Sequence, residues 1–174
     1  MKAENEKLIL TRLKSGDKEA YSEIYYLYVD AIFRFIYFRT GSRETAEDLT
    51  QEVFLKFIEI VDKEHITQIR PYLYRIARNL VIDHYKKTNN NIQIEKVEYK
   101  LIEEGKTEAD AELVITQKAL FRLKEEWREL IIMKHVDGLS HNEIAKVLGK
   151  SNVYIRVNLH RAIKALKNIL EENE

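Results

Sequence analysis

The stretch from Leu139 to Leu170, LSHNEIAKVLGKSNVYIRVNLHRAIKALKNIL, constrains the fold more than any other part of the chain. It has the layout of a helix-turn-helix. Ser140 suits the start of a first helix, since its hydroxyl can accept a bond from an orphan backbone N–H. Ile144, Ala145 and Leu148 then share one face, and Gly149 suits the helix end, where a positive φ costs glycine least. Ser151 can cap a second helix that carries Ile155, Leu159, Ala162, Leu166 and Ile169 at steps of three and four. Small Ala145, placed between Ser140 and Gly149, lets the two helices cross closely. A plain helical hairpin in a protein core would show the same pattern. The outward residues favour a nucleic-acid reader instead. With Ile155 taken as the core direction, Val153, Val157, His160 and Lys164 point away from the core, flanked by Arg156 and Arg161. Between Ser140 and Asn168 six basic residues stand against one acid, Glu143. Such a face suits DNA phosphates, with the second helix in a major groove.

The rest of the chain reads as helix almost throughout, because 174 residues contain one proline and five glycines. That length allows one medium domain or two small ones. With no cysteine there is neither a disulfide framework nor a thiolate metal site. The polar N-terminus lacks the apolar core of a secretory leader. AIFRFIYF is too short to span a bilayer. A cytoplasmic protein is the expectation. The 29 basic and 29 acidic residues cancel, but unevenly. Residues 1–87 and 113–174 are near-neutral and basic blocks, and residues 88–112 carry three basic residues against seven acids.

In the first block a short helix is expected to end near Lys14, and Asp17 to cap the next. There Ala20, Ile24, Leu27, Tyr28, Ala31, Ile32, Phe35 and Phe38 keep a helical spacing. The many aromatics of this segment are read as core packing rather than as a base-stacking platform. Gly41 ends that helix and Ser42 starts another, from Arg43 to about Val61, burying Ala46, Leu49, Val53, Phe57 and Ile60. Its other side carries Asp48, Gln51, Glu52, Leu55 and Glu59. That stripe is either a solvated face with one stray leucine or a docking face with acids at its rim, and the residues alone leave both open. Residues 62–70 read as a loop, and Pro71 as the first position of a helix burying Leu73, Ile76, Ala77, Leu80 and Val81. Arg75, Arg78 and Lys86 line the opposite side, with Tyr72, Asn79 and Tyr85 at the edges. A single-strand binder would use such a basic stripe interleaved with aromatics, and so would a solvated helix. Three asparagines then lead into an acidic linker, with a short helix expected around Val97 to Glu103. Another helix is expected to start near Ala109. One more, holding Trp127, Leu130, Ile131, Met133 and His135, closes at Asp137-Gly138.

Taken together, GDKEAYSEIYYLYVDAIFRFIYFRTGSRETAEDLTQEVFLKF, then IRPYLYRIARNLVIDHYKK, then LKEEWRELIIMKHVDGLSHNEIAKVLGKSNVYIRVNLHRAIKAL resemble one family. It is the small, two-domain extracytoplasmic-function type of bacterial RNA polymerase sigma factor. The resemblance implies an all-α protein of two small helical domains: sigma region 2 at 1–87, an acidic linker at 88–110, and sigma region 4 at 111–174. It implies a transcription initiation factor that binds core RNA polymerase at the β′ clamp helices and the β flap. Asp48, Gln51, Glu52 and Leu55 would dock on the clamp. Tyr72, Arg75, Arg78, Asn79 and Lys86 would contact the promoter −10 element, with a flipped base held near Asn79. Val153, Tyr154, Arg156, Val157, His160, Arg161 and Lys164 would contact the −35 element. An anti-sigma partner is common among such proteins, and neither a cofactor nor membrane insertion is implied. Three positions depart from the family pattern: Tyr72 where tryptophan is frequent, Val157-Asn158 where serine and arginine are frequent, and Lys124 in place of a proline. No P-loop or Rossmann glycine pattern is present, and the five histidines lack ligand spacing, so an enzyme is not expected. The alternative is a stand-alone helix-turn-helix regulator, which would footprint its operator without polymerase.

Overall fold

Local capping chemistry sets most of the helix ends. The computed structural model describes residues 3–61, 63–64, 66–88 and 118–172, with side chains from residue 6 onward. Among these there is no strand. The chain divides into two compact units, Met1–Gln93 and Ile94–Glu174. Apart from Thr88, the acidic linker and the short helix expected within it lie outside the described residues, as do Asp62, His65 and the expected helix start near Ala109.

Among its described residues the first unit holds four helices: α1 (Ala3–Lys14), α2 (Lys18–Thr40), α3 (Arg43–Val61) and α4 (Ile69–Thr88). Asp17 caps α2 by accepting from the backbone N–H groups of Glu19 and Ala20, and its other oxygen takes a 2.7 Å bond from Arg12 Nε. That bond holds the Asp17 carboxyl below the usual carboxylate range. Gly41 closes α2 with φ +67°, where any side chain would strain the backbone. The Ser42 hydroxyl then accepts from Thr45 N–H at 3.2 Å to start α3. The three longer helices pack around Ile24, Ile32, Phe35, Phe54, Phe57, Leu73 and Tyr74, all essentially buried. Edge-to-face pairs bind them, Tyr25 with Phe54 at 4.9 Å and Phe35 with Tyr74 at 5.0 Å. Burying each such side chain stabilises the unit by about 1.5–3 kcal/mol before ordering costs.

The structure corrects several expectations. Helix α4 starts two residues before Pro71, at Ile69. Ile69 is fully buried, and a proline anywhere in the first turn lacks only an N–H that no helical carbonyl would accept. On α3 the core face includes Thr50, Phe54 and Val61, and Ile60 is half-exposed. On α2, Leu27 is exposed while Arg39 is buried. The Arg39 guanidinium lies 5.4 Å from the Phe35 ring centre, and its backbone carbonyl accepts from the Tyr85 hydroxyl of α4. The core reading of the aromatics holds for Tyr25, Tyr28 and Phe35, while Tyr26 is 78% exposed.

The second unit opens, within the described residues, on a helical segment at 118–122. It continues through α5 (Glu125–Ile131), a π-helical turn (Ile132–Val136), α6 (His141–Leu148) and α7 (Asn152–Glu171). Lys124 precedes α5 at φ −54°, a value proline would also take, so the replacement of the family's proline leaves the chain direction intact. Arg128 ties α5 to the preceding segment. Its guanidinium donates to the carbonyls of Leu120 at 3.0 Å, Phe121 at 2.9 Å and Leu123 at 3.2 Å, and lies 4.5 Å from the Phe121 ring centre. One planar fork thereby satisfies three carbonyls at a helix C-terminus. Arg128→Ala is expected to cost roughly 2–3 kcal/mol, and Arg128→Lys to recover little of it. Thermal unfolding followed by circular dichroism checks this, and an unchanged midpoint for both variants refutes it.

Candidate nucleic-acid and polymerase interfaces

The helix-turn-helix is α6 and α7. Ser140 and Glu143 form a reciprocal capping box, with Ser140 N–H donating to the Glu143 carboxylate at 2.8 Å and Glu143 N–H to the Ser140 hydroxyl at 3.2 Å. Gly149 ends α6 at φ +63°, and after one more residue Ser151 caps α7 by accepting from Tyr154 N–H at 3.2 Å. Asn152 donates to the Asn142 side chain at 2.6 Å, joining the two helix starts. The core between them is Ile144, Val147, Ile155, Leu159 and Ala162. Val147 takes the buried place expected of Leu148, which with Ala145 is half-buried.

With that side of α7 buried, the structure leaves Val153, Arg156, Val157, His160, Arg161 and Lys164 exposed on the other. Tyr154 is placed differently. It is half-buried, its hydroxyl donates to the Glu126 carboxylate on α5, and Lys150 Nζ lies 5.4 Å from its ring centre. The bond to Glu126 raises its pKa. Tyr154 therefore braces α7 against α5 instead of projecting with the six exposed residues. Asn158 donates back to the Tyr154 carbonyl at 3.0 Å, which turns its amide along its own helix. The positive field extends beyond α7. The pKa of His141, at the start of α6, is lowered by desolvation and then by the charges of Lys134 and Arg156.

In the first unit, α3 presents Asp48, Gln51 and Leu55 to solvent, with Glu52 half-exposed and paired to Lys56 at 3.0 Å. Leu55 is 60% exposed, and so, to 43%, is Ile58 one turn on. The stray leucine is thus accompanied by a second exposed apolar residue, Ile58, which was not expected on this face. Its spacing of three from Leu55 was the available signal.

On α4, Arg75, Asn79 and Lys86 are exposed, and Tyr72 and Arg78 half-buried. Lys86 pairs with Asp83 at 3.7 Å. The Tyr72 hydroxyl donates to the Glu64 carboxylate in the loop before α4, and the Arg75 guanidinium covers its ring at 4.5 Å from the centre. The Tyr72 pKa is raised by partial burial and by the Glu64 bond. Leu73, Ile76, Ala77, Leu80 and Val81 hold the other side of α4 against the core. Among the described residues no group of histidines and carboxylates could hold a metal ion, and no helix is long and apolar enough to cross a membrane.

Comparison with known proteins gives both units counterparts. The family described as Sigma-70 region 2 matches residues 24–91, and Sigma-70, region 4 matches residues 113–166. The chain is 29% identical over 175 residues to the ECF RNA polymerase sigma factor BldN of Streptomyces coelicolor, covering 95% of this chain and 66% of BldN. It is 28% identical over 178 residues to the ECF RNA polymerase sigma factor SigW of Bacillus subtilis, covering 94% of this chain and 95% of SigW. Among solved structures, CnrH in complex with the cytosolic domain of CnrY superposes with a TM-score of 0.78 at 20% identity, over 97% of this chain and 99% of that one. RpoE of Bartonella quintana, solved with the anti-sigma factor NepR, gives 0.71 at 22% identity, over 88% of this chain and 98% of that one. At these identities the two structures speak for the fold alone.

Proposed function

The chain belongs to the extracytoplasmic-function group of the sigma-70 family of transcription initiation factors, and from that premise we propose how its surfaces divide the work. The α3 face (Asp48, Gln51, Glu52, Leu55 and, added here, Ile58) docks on the clamp helices of the polymerase β′ subunit, with the leucine and isoleucine as apolar anchors inside an acidic rim. The α7 face reads the −35 element. Arg156, Arg161 and Lys164 carry the charge for phosphates and base edges, and Val153 and Val157 offer methyl contacts to thymine. Tyr154 acts as a brace. Helix α4 handles the −10 region once the duplex opens, with Asn79 holding an unstacked base and Arg75, Arg78 and Lys86 the backbone. Such a protein works by binding energy and not by a reaction of its own, in the cytoplasm beside its polymerase. A partner of the anti-sigma kind that covers the α3 face would switch it off.

The observation that carries this reading is the clean division of α7, an apolar side packed on α5 and α6 and a basic side exposed among the described residues. Run-off transcription with core polymerase on a randomised promoter library tests it. Enrichment of a common −35/−10 pair is the expected outcome, and no transcription above core alone would overturn it. On a promoter so found, Asn79→Ala is expected to slow strand opening by about 10- to 100-fold, the scale of one base contact. Closed-complex affinity should change less than about twofold, since the base is reachable only after unstacking. Equal losses in both steps would remove Asn79 from base capture.

A further inference from the structure

The face of α4 assigned to the melted strand is not vacant. Tyr72 donates its hydroxyl to Glu64 Oε2, and Arg75 Nη2 stands 3.7 Å from the same oxygen. The Arg75 guanidinium lies over the Tyr72 ring at 4.5 Å from its centre, and the Phe57 ring of α3 lies 6.4 Å from the ring centre of Tyr72. One loop carboxylate therefore engages the two side chains that a single strand would need most: the aromatic surface a base stacks on, and the cation a phosphate pairs with. A carboxylate and a phosphate also compete for the same fork of N–H donors on an arginine.

We propose that Glu64 is an intramolecular competitor for the DNA strand, holding Tyr72 and Arg75 together in the free protein and releasing them when the −10 strand arrives. The inference rests on the reading of α4 as the strand-holding surface. The contact has the properties of an exchangeable latch. The Glu64 and Arg75 side chains are 53% and 48% exposed, so a phosphate can reach the pair without unfolding anything. Exposed ion pairs are weak. Such a pair can delay strand capture and still yield to several phosphate contacts made together. Glu64 sits just beyond α3, its backbone N–H bonded to the Ile60 carbonyl at 2.9 Å, so the carboxylate can swing aside while the chain stays in place. The consequence runs against ordinary expectation for a binding site, because removing polar groups from it should speed the reaction.

The test uses reconstituted holoenzyme on the promoter selected from the library, as a duplex and as a template with a pre-opened −10 bubble. Glu64→Gln removes the competing charge, and Tyr72→Phe removes the hydroxyl while keeping the ring. Each is expected to raise the rate of opening on the duplex by about three- to fivefold, the scale of one exposed ion pair. The double variant should gain little over either alone, and affinity for the pre-opened template should rise in step. Rates unchanged or lowered in both single variants would overturn the latch, a lowered rate marking Glu64 as a contact to a base or a brace for the loop. A variant carrying Arg78→Ala and Lys86→Ala, two strand-contacting positions outside the latch, separates the two layers. If it leaves opening unaffected, α4 does not hold the strand. If it slows opening while Glu64→Gln fails to accelerate it, only the competitor role falls.

Discussion

A chain carrying Asp48→Lys and Glu52→Lys is expected to lose core polymerase while keeping its fold. Both positions are accessible on α3, and the core side of the helix, from Ala46 through Phe57, is untouched by the change. Glu52 gives up its 3.0 Å pair with Lys56, a half-exposed contact of less than about 1 kcal/mol. The thermal midpoint should therefore barely move. Binding is another matter. On the proposed docking, in which these acids pair with cations of the partner, reversing both charges replaces attraction by repulsion, and desolvated pairs of this kind cost about 2–5 kcal/mol each when broken. Two such pairs at the lower end of that range, about 4 kcal/mol together, correspond to a loss of roughly 1000-fold in affinity. Leu55→Ala should weaken docking by a separate, salt-insensitive route, because it removes an apolar anchor. Co-purification with core and fluorescence titration at two salt concentrations read both effects. Normal assembly of the charge-reversed chain would refute the docking face.

The second large effect is expected in the recognition helix. Arg156→Ala with Arg161→Ala should weaken holoenzyme binding to the −35 element by about 30-fold or more, taking each contact at the low end of 1–3 kcal/mol. If both arginines hold phosphates, the dependence of log affinity on log salt should flatten by about two. If one reads a base edge, the slope should flatten by about one and discrimination at one promoter position should relax. Neither substitution touches the buried row of Ile155, Leu159 and Ala162, so circular dichroism should be unchanged. Tyr154→Phe offers a contrast. It removes only the hydroxyl bond to Glu126, and should show in the stability of the second unit more than in promoter choice. A pair of alanines that initiates normally would remove this face from promoter reading.

Much of the architecture was legible because the signals that set it are local. Asp17, Gly41, Ser42, Ser140, Gly149 and Ser151 each act on backbone groups within a few residues, so their helix ends can be read without knowing what packs where. The start of α4 was misplaced for the opposite reason. Pro71 is compatible with the first turn as well as the first position, and the choice was made by Ile69 entering the core. The π turn at Ile132–Val136 was invisible. One extra residue in a turn leaves the apolar composition unchanged and alters only the register, which brings Ile132 and Met133 inside and leaves His135 exposed. Arg39 continues the spacing of Tyr28, Ile32 and Phe35, yet no rule of composition would place a guanidinium there.

The amino-acid sequence by itself determined that the chain is helical, that its C-terminal stretch makes a capped helix-turn-helix, and which side of α7 is basic. These follow from 3.6-residue periodicity and from caps, both properties of neighbouring residues. Only the tertiary structure decided which of the outward side chains are available. Tyr154 and Val153 are adjacent on one helix, but Glu126 of α5 holds the first and nothing among the described residues covers the second. Likewise Tyr72 and Arg75 were legible as a stacking surface and a cation, and Glu64 was not legible as their partner. Hydrogen bonds between elements depend on where separate helices come to rest, and that is settled by the packing of the whole core rather than by any short stretch of chain.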